Sequence, residues 1–404
     1  MNPSQSSLIQ SLRSLPRPAW ILFAGTILNK FGAFVIPFLV IYLRERGFTA
    51  ADAGTALAAY GIGHLVASAL GGYLADRIGR RKTIAISMFS SATAMLLLSQ
   101  ANSLGAIVTL SALTGLAAEL YRPASSALLT DLVPPSERVT AFAAYRWALN
   151  AGFAFGPATA GFLAKHSFLW LFVGDAITSA AFGILAWFAL PHGVRATGKA
   201  AAWPEALRVM RHDRRLHKLL LAQFAIALVF FQVFSTFGLH VTGCGFSPST
   251  YGALISLNGV LVVAIELWLI SFTRRFSPTR TIAVGYLLIG FGFALCGIAA
   301  TIPVLTLVVV VFTIGEMVSM PIAAAYIVEH IAPEMRGRYM GAYGLVWALG
   351  LTIGPSVGLR LHSQNPNWLW GACGVLGVIA AFTVLKTAET QPAMPKATAV
   401  SQRG

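Results

Sequence analysis

Seven charged side chains and one histidine sit inside long apolar runs of this chain: Lys30, His64, Glu119, Arg122, Arg146, Asp175, Glu266 and Glu316. A charge held in hydrocarbon costs about 2.5–3.5 kcal/mol even on lenient scales, so each needs a cavity or a partner. The chemistry open to such a set is ion pairing and proton exchange. Glu119 and Arg122 are three residues apart and share a helix face. Lys30 lies ten residues past Trp20, roughly 15 Å deep and near the midplane. An acid beside a cation keeps its charge, whereas one buried without a cation takes up a proton more readily. Glu316 has no basic neighbour in sequence and is the expected proton carrier. Glu119 is the expected ion-pair partner. The competing reading is a network, Glu119 with Lys30 or Arg122, that only fixes helix packing. Arg146, Asp175 and Glu266 read as locally paired or as touching headgroup-level water, and His64 as a packing histidine.

Other chemistries lack their residues. No nucleotide-binding loop, metal-ligand cluster or nucleophile motif occurs, and the glycine-rich stretches lie within apolar runs and follow no strand. The expectation is therefore no enzyme, no cofactor and no metal. Cys244, Cys296 and Cys373 are far apart and read as reduced and structurally neutral. The net charge of +15 would suggest nucleic acid in a soluble protein. Here the basic residues fall in short loops between apolar runs, so membrane topology explains them and no nucleic-acid partner is expected.

The elements that position these groups follow from composition. Hydrophobic residues make up 56% of the chain and charged residues 11%, against about 25% charged in a soluble domain. Apolar runs lie at 19–43, 51–75, 83–101, 104–130, 139–164, 168–190, 219–241, 249–273, 281–300, 303–328, 339–360 and 368–385. Each is long enough to cross a core of about 30 Å. In lipid the backbone must satisfy itself, so the runs read as helices. The strand-length alternation of an outer-membrane barrel is absent. With the N-terminus inside, 22 of the 29 Lys and Arg residues fall on the cytoplasmic side, and Arg44, Arg46, Lys165 and Arg360 fall outside. This asymmetry places both termini in the cytoplasm of a multi-pass protein of the bacterial inner membrane. The run from Trp20 to Tyr42 is too long for a cleavable signal.

The two halves repeat at one offset, 198 residues, as from Gly47 to Gly245. Gly47-Phe48 matches Gly245-Phe246. Gly54 and Gly61 match Gly252 and Gly259. Thr83-Ile84-Ala85 matches Thr281-Ile282-Ala283. Pro123, Asp131, Pro135 and Arg138 match Pro321, Glu329, Pro333 and Arg336. Ala144-Tyr145 and Gly156-Pro157 match Ala342-Tyr343 and Gly354-Pro355. Each repeat has an even number of spans, so the halves run in parallel and should enclose a site near the midplane. The expected division is a six-helix bundle over 1–190, a cytoplasmic basic linker over 191–218, and a second bundle over 219–404 with a short cytoplasmic tail. Within the linker, Pro204–Arg215 can lie along the inner surface as a basic amphipathic helix; a plain linker and topology anchor is the simpler reading.

The loop after the second span reads G-Y-L-A-D-R-I-G-R-R-K, Gly72 to Lys82. It resembles the signature loop of the major facilitator superfamily at Gly72, Leu74, Asp76, Arg77, Gly79, Arg80 and Arg81. The resemblance implies an all-α fold of twelve transmembrane helices in two pseudo-symmetric six-helix bundles, with a gate at the cytoplasmic side. Gly72 then permits close helix packing, and Asp76 caps the start of the eleventh span near Arg338 and Tyr339. Arg80 pairs with Asp131, and these contacts hold the outward-open state. The matching loop of the second half departs from the pattern, with Arg274 and Ser277 in place of Asp76 and Gly79. The fifth span carries G-F-A-F-G-P-A-T-A-G, with Gly152, Gly156, Pro157 and Gly161. It is similar to a motif of the twelve-helix drug/proton antiporters in that superfamily, though ordinary helix packing also accounts for it. Those exporters carry an arginine early in the fourth helix, and that place holds Ser111 here.

In this superfamily helices 1, 4, 7 and 10 line the cavity. The resemblance thus draws Lys30, Glu119, Arg122 and Glu316 into one substrate and proton site, with Gln223 and Gln232 of the seventh span. Aromatic stripes on the first span (Phe23, Phe31, Phe34, Phe38) and on the seventh (Phe230, Phe231, Phe234, Phe237) could give it a greasy wall. The expected function is proton-coupled export of small amphipathic molecules by alternating access, driven by the proton gradient, by a monomer whose partners are protons, substrate and lipid. The alternative is an importer or specific exporter of an anionic metabolite or sugar on the same fold.

Overall fold

The computed structural model describes residues 12–134, 137–193, 210–273, 275–329, 331 and 333–388. Residues 204–209 of the expected surface helix lie outside these, as do Pro135 and Arg274. The described residues form twelve helical spans and no strand. They are Arg17–Glu45, Ala50–Ile78, Arg80–Gln100, Leu104–Leu132, Arg138–Ala164 and Leu169–Ala189 in the first half. The second half has Arg214–Phe230 continuing to Thr236–Gly243, then Pro248–Thr273, Pro278–Ile298, Ile302–Val328, Pro333–Gln364 and Pro366–Ala388. Eleven are long and apolar enough to cross a membrane. The remaining one, the fifth, is a continuous 27-residue helix. Large apolar side chains line the outside, with Phe188 80% and Ile298 76% exposed, as lipid contact requires.

Local sequence sets the helix ends. Thr49 and Asp52 form a reciprocal capping box at the start of the second span. Ser103 accepts from the Ala106 amide and Asp213 from the Leu216 amide at the starts of the fourth and seventh. Gly47 and Gly245 both turn the chain with φ of 86°, a conformation costly for any residue with a Cβ. The repeat is therefore present in the backbone as well as in the residues.

The same symmetry governs packing. Span 1 packs on span 5 and span 7 on span 11; span 3 packs on span 6 and span 9 on span 12. The halves meet where span 2 runs along span 11 and span 5 along span 8. A Cβ on Gly61 would lie 2.5 Å from Thr352 Oγ1, and one on Gly259 2.5 Å from the Ala154 Cα. These two contacts map onto each other at the repeat offset.

The ends of the bundle differ. At the end opposite the Arg77–Lys82 loop the halves are joined. The Tyr251 hydroxyl donates to the Pro37 carbonyl (3.0 Å) and the Ser356 hydroxyl to the Gly54 carbonyl (2.8 Å). Phe38 meets Tyr251 edge to face at 5.2 Å. At the basic end, Cβ atoms placed on Gly72, Gly341 or Gly344 would touch nothing within 4 Å. The molecule is sealed at the opposite end and splayed at the basic one.

The fourth span is divided only at Leu120, which keeps helical backbone angles, whereas two others, the first and the seventh, are broken. The first stops at Phe31, turns through Gly32–Phe34 and resumes as Val35–Glu45. The seventh passes through a 3₁₀ turn at Phe231–Phe234 and restarts at Thr236. Gln232 bridges this second break: its amide donates to the Leu228 and Gly354 carbonyls, and its oxygen accepts from Thr236. Internal partners of this kind are what irregular backbone within a bilayer demands.

Candidate functional site

The charged residues gather in two places. In the first half, Glu119 ends the first segment of the fourth span, and its carboxylate lies between two cations. Lys30 Nζ is 3.4 Å from Oε1, and Arg122 Nη1 is 3.3 Å from Oε2. Lys30 also stands 5.6 Å from the Tyr121 ring centre. Glu119 is buried, while the Arg122 side chain is 47% exposed. The cluster thus holds one carboxylate against two bases, one of them facing open space.

The second place lies on the seam. Glu316 Oε2 accepts from Asn258 Nδ2 at 2.8 Å, and that amide also reaches Thr313 Oγ1 at 2.9 Å. No Lys, Arg or His among the described residues bridges Glu316. It borders a cavity of about 190 Å³ between the halves. Asn150 and Phe153 line it from the fifth span, Phe230 and Phe234 from the seventh, Asn258 from the eighth and Phe312 from the tenth. The pocket is aromatic, with two amides and one carboxylate. Roughly one to two helical turns nearer the basic end, Arg146 Nη2 meets Glu266 Oε1 at 2.6 Å across the seam.

Lys30, Glu119 and Arg122 are therefore brought together, and Glu316 is held apart from them by a different partner. Gln223 is buried and accepts from the Tyr286 hydroxyl at 2.6 Å, and Gln232 braces the broken seventh span. Arg146 and Glu266 pair with each other, but between halves. In the gate loop, Arg80 joins Asp76 (2.5 Å) and Asp131 (3.4 Å), and Arg77 donates to the Tyr73 hydroxyl (2.9 Å). Asp76 is 55% exposed. Among the described residues its hydrogen bond is to Arg80, not to the start of the eleventh span, because the halves stand apart at this end. Gly79 turns the loop with φ of 96°. In the packing motif, Gly152 and Gly156 seat the first span against the Ile27 and Phe31 carbonyls. Gly161 meets the Pro248 carbonyl of the eighth, and Pro157 lies within the helix. Asn150, Phe153, Asn258 and Phe312 are site residues that sequence reasoning passed over. The signal for the two amides was a polar side chain inside an apolar run.

The comparisons with known proteins agree with this geometry. The family model described as Major Facilitator Superfamily matches residues 22–355 and 242–402. The uncharacterized MFS-type transporter YqjV of Bacillus subtilis (strain 168) is 30% identical over 353 residues, covering 84% of this chain and 85% of its own. Multidrug resistance protein MdtH of Cronobacter sakazakii (strain ATCC BAA-894) is 27% identical over 386 residues, covering 92% and 94%. The crystal structure of nucleoside transporter NupG (D323A mutant) superposes with a TM-score of 0.80 at 16% identity, over 92% of this chain and 100% of that one. Twelve helices in two parallel halves, the gate loop from Gly72 to Lys82 and a family match over most of the sequence lead to one conclusion: the chain belongs to the Major Facilitator Superfamily.

Proposed function

We propose that this transporter exports small amphipathic molecules, organic cations foremost, in exchange for protons. The observation that carries the reading is Glu316 in the aromatic seam pocket, held by Asn258 and bridged by no cation among the described residues. A carboxylate so placed has two natural guests, a proton or a positively charged substrate, and cannot hold both. Aromatic faces add attraction for a cation and cover for its apolar body. Exchange then follows: a proton taken up from one side displaces the substrate, and a substrate from the other side displaces the proton. The likeness to MdtH, a multidrug resistance protein, supports the same reading. The cluster at Arg77–Lys82 marks the cytoplasmic end by the positive-inside rule, so the splayed face opens to the cytoplasm of a bacterial inner-membrane protein with both termini inside. The driving force is the proton gradient, the working unit is a monomer, and no cofactor takes part.

A second reading rests on the first-half cluster. Two bases around one carboxylate, with Arg122 half-exposed, suit an anionic metabolite, carried inward or outward.

The test uses inverted vesicles with an imposed pH gradient and tetraphenylphosphonium as probe. Probe-stimulated proton release is expected from the natural protein. Glu316→Gln should abolish gradient-driven transport while the protein still binds an uncharged aromatic probe. Unchanged coupling in that variant ends the proposal, as does protein-dependent accumulation of the probe seen only in right-side-out vesicles, which means import.

A further inference from the structure

The break in the first span is occupied by a carboxylate from the sixth. Asp175 is 4% exposed. Ser179 Oγ donates to its Oδ1 at 3.4 Å, and Asn29 Nδ2 donates to Ser179 Oγ at 3.3 Å. Asp175 lies on the turn of the sixth span between Gly174, where a Cβ would come within 2.8 Å of the Phe34 ring, and Thr178, which packs on Gly32, so it sits beside the break where the half-helix Val35–Glu45 begins. That half-helix has no side-chain cap of its own. Gly32 makes the approach possible, since any Cβ there would collide with Thr178. Among the described residues no Lys, Arg or His forms an ion pair with Asp175. The titratable groups around it are Lys30 of the first span, which is engaged by Glu119, and Tyr60 of the second. The third span presents Met88 to the same polar chain through Asn29.

The half-helix is also the part of the first span that closes the opposite end. Pro37 accepts from Tyr251, Phe38 meets the same ring edge to face, and Ile41 packs at Gly238. One buried carboxylate thus stands at the root of the segment that makes the seal.

We propose that Asp175 is a second proton-binding carboxylate of this transporter, and that its charge holds the Val35–Glu45 half-helix in the sealed position. The first clause rests on proton coupling as argued above; the second stands on the geometry of the break. Ionised, Asp175 balances the positive end of the uncapped half-helix. When it takes a proton from water, an O–H bond forms and the charge beside that end is gone. The half-helix then loses its anchor and the seal with Tyr251 loosens. Asp175 lies six residues inside the start of the sixth span at Leu169, about 9 Å from the opposite end, so that side is its nearer aqueous face once the seal loosens.

The test reads the seal directly and does not depend on transport. Spin labels go on cysteines introduced at Glu45 and Gly243, in a Cys244→Ser background, in the full chain reconstituted in lipid nanodiscs. Pulsed electron–electron resonance is recorded across a range of pH. A longer-distance population should grow as pH falls, changing the open-to-sealed ratio about tenfold, the size of a partly buried charge–dipole contact. Asp175→Asn should show the longer distance at every pH, and Asp175→Glu should restore the titration. Should the Asn variant not fold, the Glu variant and Ser179→Ala must each move the titration midpoint. Glu316→Gln should leave the curve in place even though it uncouples transport. A flat profile in the natural protein, an unchanged profile in Asp175→Asn, or loss of the titration in Glu316→Gln each overturns the proposal.

Discussion

At the scale of single residues, Glu119 is the group whose removal disturbs most. It is the one carboxylate that bridges Lys30 and Arg122 among the described residues, at 3.4 and 3.3 Å. Replacing it with Gln leaves Lys30 largely buried with no anion. Breaking a buried pair in this way costs roughly 3 kcal/mol, whereas removing both charges costs much less. Thermal unfolding in detergent should therefore show Glu119→Gln clearly destabilised and Lys30→Met with Glu119→Gln partly rescued. A double variant no more stable than the single one would show that the pair does not hold the helices. Glu119 and Lys30 were legible as partners because charges inside apolar runs announce themselves. Asn258 was not, since a neutral amide breaks no composition rule. Its importance comes from reaching Glu316 over 58 residues of sequence.

At the scale of elements, the repeat was the most informative feature of the sequence, and it reappears as geometry. The Gly61–Thr352 and Gly259–Ala154 contacts carry the two seams between halves. Because both occupy equivalent positions, Gly61→Val and Gly259→Val should act alike. Each forces adjacent backbones apart and should cost about 1–3 kcal/mol, as overpacking does, with a matching loss of melting temperature in both. A large effect at one site and none at the other would deny the symmetry at the seam. Element ends were legible where caps and glycines mark them, as at Thr49, Ser103 and Gly47. The breaks at Gly32–Phe34 and Phe231–Ser235 were not, because a helix interrupted within lipid keeps the same apolar composition and is stabilised by neighbours such as Gln232 and Asp175. The Arg146–Glu266 pair escaped for a related reason. Its partners are 120 residues apart, and only the docking of two complete halves brings them together.

At the scale of the whole molecule, the question is where the gate loop goes when the basic end closes. Spans 2 and 11 run antiparallel and meet at Gly61 and Thr352. Carrying that register toward the basic end sets Gly72 opposite Gly341, each eleven residues on, or about 16 Å along the axis. Four residues further, Asp76 comes level with the start of the eleventh span, the contact that the signature loop led one to expect. Among the described residues Asp76 is instead half-exposed and bonded to Arg80, in keeping with the splayed state. Alternating access therefore predicts that cysteines at Gly72 and Gly341, in a Cys244→Ser background, approach to disulfide range of about 4.4–6.8 Å between Cα atoms only when the opposite end opens. Oxidation during turnover in proteoliposomes should form the bond, stop transport and be reversed by reductant. In the locked protein, a cysteine at Glu45 should react faster with an aqueous maleimide, since closing one end releases the other. Were the bond to form while transport continued at its former rate, the two halves would not be rocking about this seam.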